Sequence, residues 1–417
     1  KFVLDPSRHA ELVQVTTESV TRQGAESIDN EPARNSIAVL PFADLSPEGD
    51  QGYFSDGISE ELLNVLVHVD GLHVASRTSS FAFRGGNKNL KEIADALRVS
   101  YVLEGSVRKD SNRVRITAQL IVAASDRHLW SETYDRDLTD IFTVQTDIAN
   151  AIVDALKEPL DIRGTSEIVV SPATTNINAY DLYLEARELF LARTDFERSI
   201  ALFERAVALD PGFARAWEGL AAIYVILPSW GFTDQDYLVL ALEAAQTAIK
   251  LDNRRSLAYS VIGLVFQGRQ PHRWEDAFEN YGLAAQMDSK NATNSLWRAV
   301  AYMNLGYFEL AMSDLDQCLS IDPQYGNCLR HKAMLYLLRG ERDKGIAQFL
   351  HTLESGVSGT QPLFVSAFAL TGHRAAALLV ADMSTGHSGA PIREWVDLIE
   401  NREMDRRIAL GAFDRWV

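Results

Sequence analysis

Polar and apolar positions divide this chain into an α/β part and an all-helical part. The run Ile37-Ala38-Val39-Leu40-Pro41-Phe42 is short and apolar, which predicts a buried strand. From Gly52 the spacing changes. Ile58, Leu62, Leu63, Leu66 and Val67 recur at helical intervals, with Ser55 or Asp56 as the expected N-cap and Glu60 and Glu61 in the early turns, where they suit the helix dipole. Leu72–Ala75 reads as a strand and Leu90–Leu97 as a helix. Three β-rich runs follow at Tyr101–Val107, Arg113–Val122 and His128–Tyr134, with turns at Asp110-Ser111-Asn112 and Ala124-Ser125-Asp126. An amphipathic helix over Asp140–Leu156 aligns Ile141, Val144, Ile148, Ile152 and Leu156. The order β-α-β-α-β-β-β-α predicts a mixed sheet with helices against it over residues 36–160. An open sheet has edges, and edges invite pairing, so a homodimer through this domain is one expectation.

Beyond about residue 178 the pattern is helical and repetitive. Pro211, Asn253, Ser289 and Pro323 close related phrases, 42, 36 and 34 residues apart. Tyr183, Phe190, Phe203 and Ala206 fall in the first unit; Trp217, Leu220, Tyr224, Ala241, Ala245 and Ala248 in the second; Ala299, Tyr302 and Ala311 in the fourth. Tyr259, Gly263, Phe266, Ala277, Tyr281 and Ala284 mark a weaker third unit, and Ala333, Tyr336 and Phe349 a weaker fifth. Small residues let paired helices approach, and aromatics fill the space between pairs. This resembles the tetratricopeptide (TPR) repeat, which implies about five helix pairs over 178–357. The expected fold is therefore an α/β domain followed by an all-α TPR solenoid.

The α/β part carries a second resemblance. Ser36–Phe42, Tyr53–Leu62, Ser76–Phe81, Tyr101–Arg108 and Leu129–Arg136 look like the TolB amino-terminal-like domain. That resemblance implies a bacterial, membrane-anchored protein on the periplasmic side of the inner membrane, without catalytic residues or cofactors. It also implies a protein or peptide partner, such as a membrane-protein complex, and a scaffolding or sensing role. Some such proteins join these parts to a winged-helix transcription regulator or a nucleotide cyclase, which is the alternative reading. Residues 1–35 read as a tether after an anchor preceding Lys1, with a helix over Arg8–Thr21 and a polar linker over 23–32. A linker is expected at 161–177, and a helical cap over 358–417, including Leu363–Leu370, Arg374–Met383 and Ile392–Ile399, to cover the last apolar face.

In TPR proteins helix A lines the concave groove. Carried over, the lining positions are Leu184, Glu188, Leu191, Arg215, Glu218, Ala222, Val225, Leu264, Gln267, Leu296, Val300, Met303, Arg330, Met334 and Leu337. Many are apolar, so the groove either takes a partner or is filled by the chain itself. The insertion around Trp230 and Phe232 offers aromatic anchors, or folds back on its neighbour. Cys318 and Cys328 flank the turn of one repeat, which suits either a disulfide or a packed thiol at a small-residue position.

Composition narrows the function classes. The chain has 417 residues, 47% apolar, enough for a sizeable core. Its net charge of −17 argues against nucleic acid as a partner. Phosphate-loop patterns are lacking, and Phe83-Arg84-Gly85-Gly86-Asn87-Lys88 reads as a surface turn. The string Ser55, Asp56, Glu60, Glu61 is explained by a capped helix start better than by a metal.

Overall fold

The computed structural model describes residues 33–354, apart from 68, 70, 86–88 and 161–172. The tether, most of the linker and the C-terminal helical segments expected above lie outside the described residues.

The α/β domain contains strands β1 (Ala33–Val39), β2 (Ala43–Asp44), β3 (His73–Val74), β4 (Val99–Asp110), β5 (Arg113–Val122) and β6 (Arg127–Asp137). Its helices are α1 (Gly52–Leu66), α2 (Arg77–Phe81), α3 (Leu90–Leu97) and α4 (Ile141–Leu160). The sheet order is β3-β1-β4-β5-β6, with β2 also on β4; β1, β2 and β3 pair in parallel, and β4-β5-β6 form an antiparallel meander. The run at 37–40 is uniformly apolar because both faces are covered. Ile37 and Val39 face α1 and α4, while Ala38 and Leu40 face α3. On β5, by contrast, Val114, Ile116, Ala118 and Leu120 point inward and alternate with polar residues. Ser111 and Asp126 take positive φ at the two hairpin turns (54° and 51°). Charged side chains mark the β6 edge: Asp135 pairs with Arg113 and Arg115.

Helix α1 starts one turn earlier than its acidic residues suggest. Gln51 stands at the cap position and makes no side-chain capping hydrogen bond, so neither Ser55 nor Asp56 is the N-cap. Both are buried instead, and Ser59 Oγ accepts from the Phe42 backbone N–H at 2.9 Å. Helix α2 lies where the sequence showed only a hydroxyl-rich phrase. Ser76 caps it, accepting from the Ser79 N–H at 3.2 Å.

Five antiparallel pairs follow among the described residues: α5/α6 (Ile177–Ala192, Phe196–Leu209), α7/α8 (Ala214–Ile226, Tyr237–Leu251), α9/α10 (Ser256–Gly268, Trp274–Met287), α11/α12 (Ala292–Leu305, Phe308–Ile321) and α13/α14 (Gly326–Leu338, Arg342–Glu354). Ala206, Ala241, Ala245, Ala248, Ala284 and Ala311 are wholly buried between helices, and Tyr183 packs among Tyr180, Phe203 and Phe213. The recurring aspartate has a local cause. Asp210, Asp252, Asp288 and Asp322 each end a helix, and each carboxylate accepts a backbone N–H two residues on.

Cys318, near the end of α12, and Cys328, at the start of α13, are joined by a disulfide with Cα atoms 6.4 Å apart. Breaking it by Cys318→Ala with Cys328→Ala is expected to lower stability by about 2–3 kcal/mol, since the closed loop is short. Denaturant titration with and without reductant measures the difference. Two free thiols per unreduced, unfolded chain would refute the bond.

Candidate functional site: the seam between the sheet domain and the repeats

The two parts share one apolar core, which runs from Ile37 in β1 to Leu335 in α13. They meet where α1 lies across α5 and α7. Gly57 makes the approach feasible: a Cβ there would stand 2.6 Å from Leu184 Cδ2. Around that contact α1 extends a row of carboxylates toward cations of the repeats.

Glu60, 6% exposed, accepts a two-pronged hydrogen bond from the Arg187 guanidinium of α5 and a further one from Arg77 Nε of α2 at 3.0 Å. Glu61 pairs with Arg215 of α7 at 2.5 Å. Asp56 pairs with Arg84, and its other oxygen is buried without a hydrogen-bond partner among the described residues. Burial pushes the Glu60 carboxyl up, but Arg187 and Arg77 outweigh it and hold it below the usual carboxylate range. Asp56 goes the other way, raised by burial that Arg84 only partly offsets.

The seam extends along the array. Asp181 of α5 receives Lys109 Nζ at 2.6 Å and the Tyr53 hydroxyl at 3.2 Å. Tyr180 accepts from Gln145 at 3.2 Å and meets Phe142 edge-on, with ring centroids 4.9 Å apart. Farther on, Lys290 Nζ donates to the Val67 carbonyl at 3.0 Å. Asp322 ends α12 like its counterparts, yet it alone of the four also accepts from Ser76 of the sheet domain, at 2.6 Å. Contacts to Asp181, Arg187, Arg215, Lys290 and Asp322 span the first to the fourth repeat, so α1 and α2 seat the sheet domain along the array.

This settles where the expected groove positions stand. Leu184 and Arg215 are occupied by the sheet domain, and Glu188 senses Asp56, Arg84 and Arg77. Ala222, Val225, Leu296, Met334 and Leu337 are buried, because the helices pack too closely to leave them on an open surface. Glu218 is taken by Arg255 and by the Ala258 N–H at 3.3 Å. Leu264, Gln267, Val300 and Met303 keep partial exposure, and Leu191 is 40% exposed. Arg330 keeps a buried Nε without a partner among the described residues. Phe232 folds back, meeting Phe196 and Tyr237, whereas Trp230 meets Phe196 in a T-shaped contact and stays 50% exposed. Sequence reasoning missed Arg187 and Arg77 altogether. It read Glu60 and Glu61 as dipole partners, because the repeat cations that hold them, Arg187 and Arg215, lie 127 and 154 positions away.

Residues 33–152 match the family described as HilA/YgeH-like transcriptional regulator, second domain, and residues 294–325 match a tetratricopeptide repeat. A relative from Rhizobium meliloti named "Putative adenylate cyclase 3" is 39% identical over 237 residues. That match covers 56% of this chain but only 40% of the relative's length. Among solved structures, a thermophilic TPR protein of Thermus thermophilus shares 22% identity at a TM-score of 0.39, over 48% of this chain and 99% of its own. A TPR protein of Parabacteroides merdae shares 14% at 0.40, over 63% and 95% respectively.

Proposed function

We propose that this chain is a non-enzymatic interaction module in which the sheet domain and the TPR array act as one body and bind a protein or peptide partner. The observation that carries the reading is the seam. The carboxylates best placed for chemistry, Glu60 and Glu61, are held by Arg187, Arg77 and Arg215, which makes them structural. The partner surface is what the sheet domain leaves uncovered in the middle repeats, around Leu264, Gln267, Val300 and Met303. The Cys318–Cys328 bond supports an oxidising compartment, in keeping with a periplasmic location and a tether to the inner membrane.

A photo-reactive residue at Met303 in the native membrane tests this. A discrete adduct is expected there and none from the same probe at Leu251, on α8 of the second repeat. Equal labelling at both positions would reject the surface.

A second reading is supported by the cyclase-named relative, of which this chain spans less than half, and by the regulator family matched by the sheet domain. Here the same body would sense a partner and pass the signal to an effector elsewhere in a longer protein. Arg187→Ala in the full-length protein, expected to loosen the seam, should then change effector output. An unchanged output in a folded variant would favour the scaffold reading.

A further inference from the structure

The turn between α12 and α13 is closed twice over. Its backbone forms a chain of hydrogen bonds. The Asp322 N–H donates to the Cys318 carbonyl at 2.9 Å, the Tyr325 N–H to the Asp322 carbonyl at 3.0 Å, and the Cys328 N–H to the Tyr325 carbonyl at 2.9 Å. The disulfide then joins the first residue of that chain to the last. The first repeat makes the same turn without one. There the Asp210 N–H donates to Ala206 at 3.0 Å, Phe213 to Asp210 at 3.1 Å and Ala216 to Phe213 at 3.0 Å. The positions that match Cys318 and Cys328 hold Ala206 and Ala216 in the first turn, Ala248 and Ala258 in the second, and Ala284 and Asn294 in the third. A turn of this kind therefore forms without a covalent link.

What sets the fourth turn apart is the use made of Asp322. Its Oδ1 accepts from Ser76 Oγ of the sheet domain at 2.6 Å and from Ser79 Oγ at 3.4 Å, besides its own Gln324 N–H at 3.3 Å. Ser76 caps α2: its oxygen takes the Ser79 N–H at 3.2 Å while its single proton goes to Asp322. Helix α2 in turn carries Arg77, whose Nε donates to Glu60 at 3.0 Å. The third turn also reaches the sheet domain, but through the long side chain of Lys290, which tolerates movement of its backbone. The aspartate side chain is short, so its contact depends on where the turn itself stands.

We propose that the Cys318–Cys328 bond is a clasp for the sheet domain: it fixes Asp322 where Ser76 and Ser79 meet it, and so makes the seating of α2 on the fourth repeat dependent on oxidation. Closing the clasp takes two electrons and two protons from the two thiols; they pass to a disulfide oxidant, which leaves as two thiols. Both cysteines are wholly buried, so exchange with a dithiol requires the turn to open, and the folded, oxidised protein keeps its clasp.

Hydrogen exchange of the whole chain, read by mass spectrometry on a peptide spanning 73–85, tests this. Cys318→Ala with Cys328→Ala places at both positions the residue that the first turn uses. It should speed exchange of α2 about tenfold, the worth of one hydrogen bond to a charged group. Wild type refolded under dithiothreitol should show the same, and serves if the variant folds poorly. Asp322→Ala should speed α2 about tenfold in the oxidised chain but less than about twofold in the double-cysteine variant, where the contact is already weakened. Exchange in α10 should stay unchanged throughout. Unaltered α2 exchange without the bond, or equal acceleration by Asp322→Ala in both backgrounds, would overturn the clasp. So would a matching acceleration in α10, which would make the bond a general staple of the array.

Discussion

Replacing Glu60 by alanine is expected to lower the free energy of unfolding by about 3–5 kcal/mol, the usual cost of removing one partner of a buried ion pair. The magnitude follows from what remains. Arg187 and Arg77 both lose their acceptor in a seam where Glu60 itself is only 6% exposed. Replacing Glu60, Arg187 and Arg77 together by apolar residues of similar size should recover much of the loss, since the penalty lies in the orphaned charges. The pH dependence has a definite sign. The folded carboxyl titrates below its ordinary 4.5, so its contribution is complete above that value and disappears as pH falls through the lower, folded pKa. The difference between wild type and Glu60→Gln should therefore shrink in acid. Chemical denaturation at pH 7 and at stepwise lower pH measures it; a cost under about 1 kcal/mol at pH 7 would mean that the pair is solvated and the seam weak.

Gly105→Val should disrupt the sheet domain to a comparable extent. Gly105 lies in β4 opposite Ala118 of β5. A Cβ there would stand 2.3 Å from the Thr117 carbonyl oxygen and 2.8 Å from the Phe42 ring. The ring could turn, but the carbonyl belongs to the strand ladder, so relief requires opening the β4–β5 pairing. A loss of about 3 kcal/mol or more is expected, at the upper end of overpacking effects. Even Gly105→Ala should cost a substantial part of this. A folded Gly105→Val variant with near-native stability would show that β4 and β5 can separate locally without cost.

The repeats were legible because their causes are local. Asp210, Asp252, Asp288 and Asp322 cap their own helices, and Ala206, Ala245, Ala284 and Ala311 meet helices nearby in sequence. The same holds for α3 and β5, whose bounds follow from a capping Asn89 and from alternation between two hairpin turns. Helix α2 escaped notice because five residues give periodicity too little to show. The pattern of apolar and small residues thus determined the longer elements, their order and the α/β-then-solenoid architecture, but not the short α2 and β2.

What only the tertiary structure decided is how the two parts meet. A carboxylate on α1 cannot signal in sequence that its guanidinium lies on α5 or α7, because charge pairing has no period and acts between groups brought together by folding. For the same reason the groove positions read from repeat spacing divided three ways. Leu184 and Arg215 went to the sheet domain, Ala222 and Leu296 to the helix packing, and Arg330 to a half-buried place on α13 where its Nε has no hydrogen-bond partner among the described residues. Helical spacing fixes which face of its own helix a residue occupies; what comes to lie against that face depends on the curvature of the whole array.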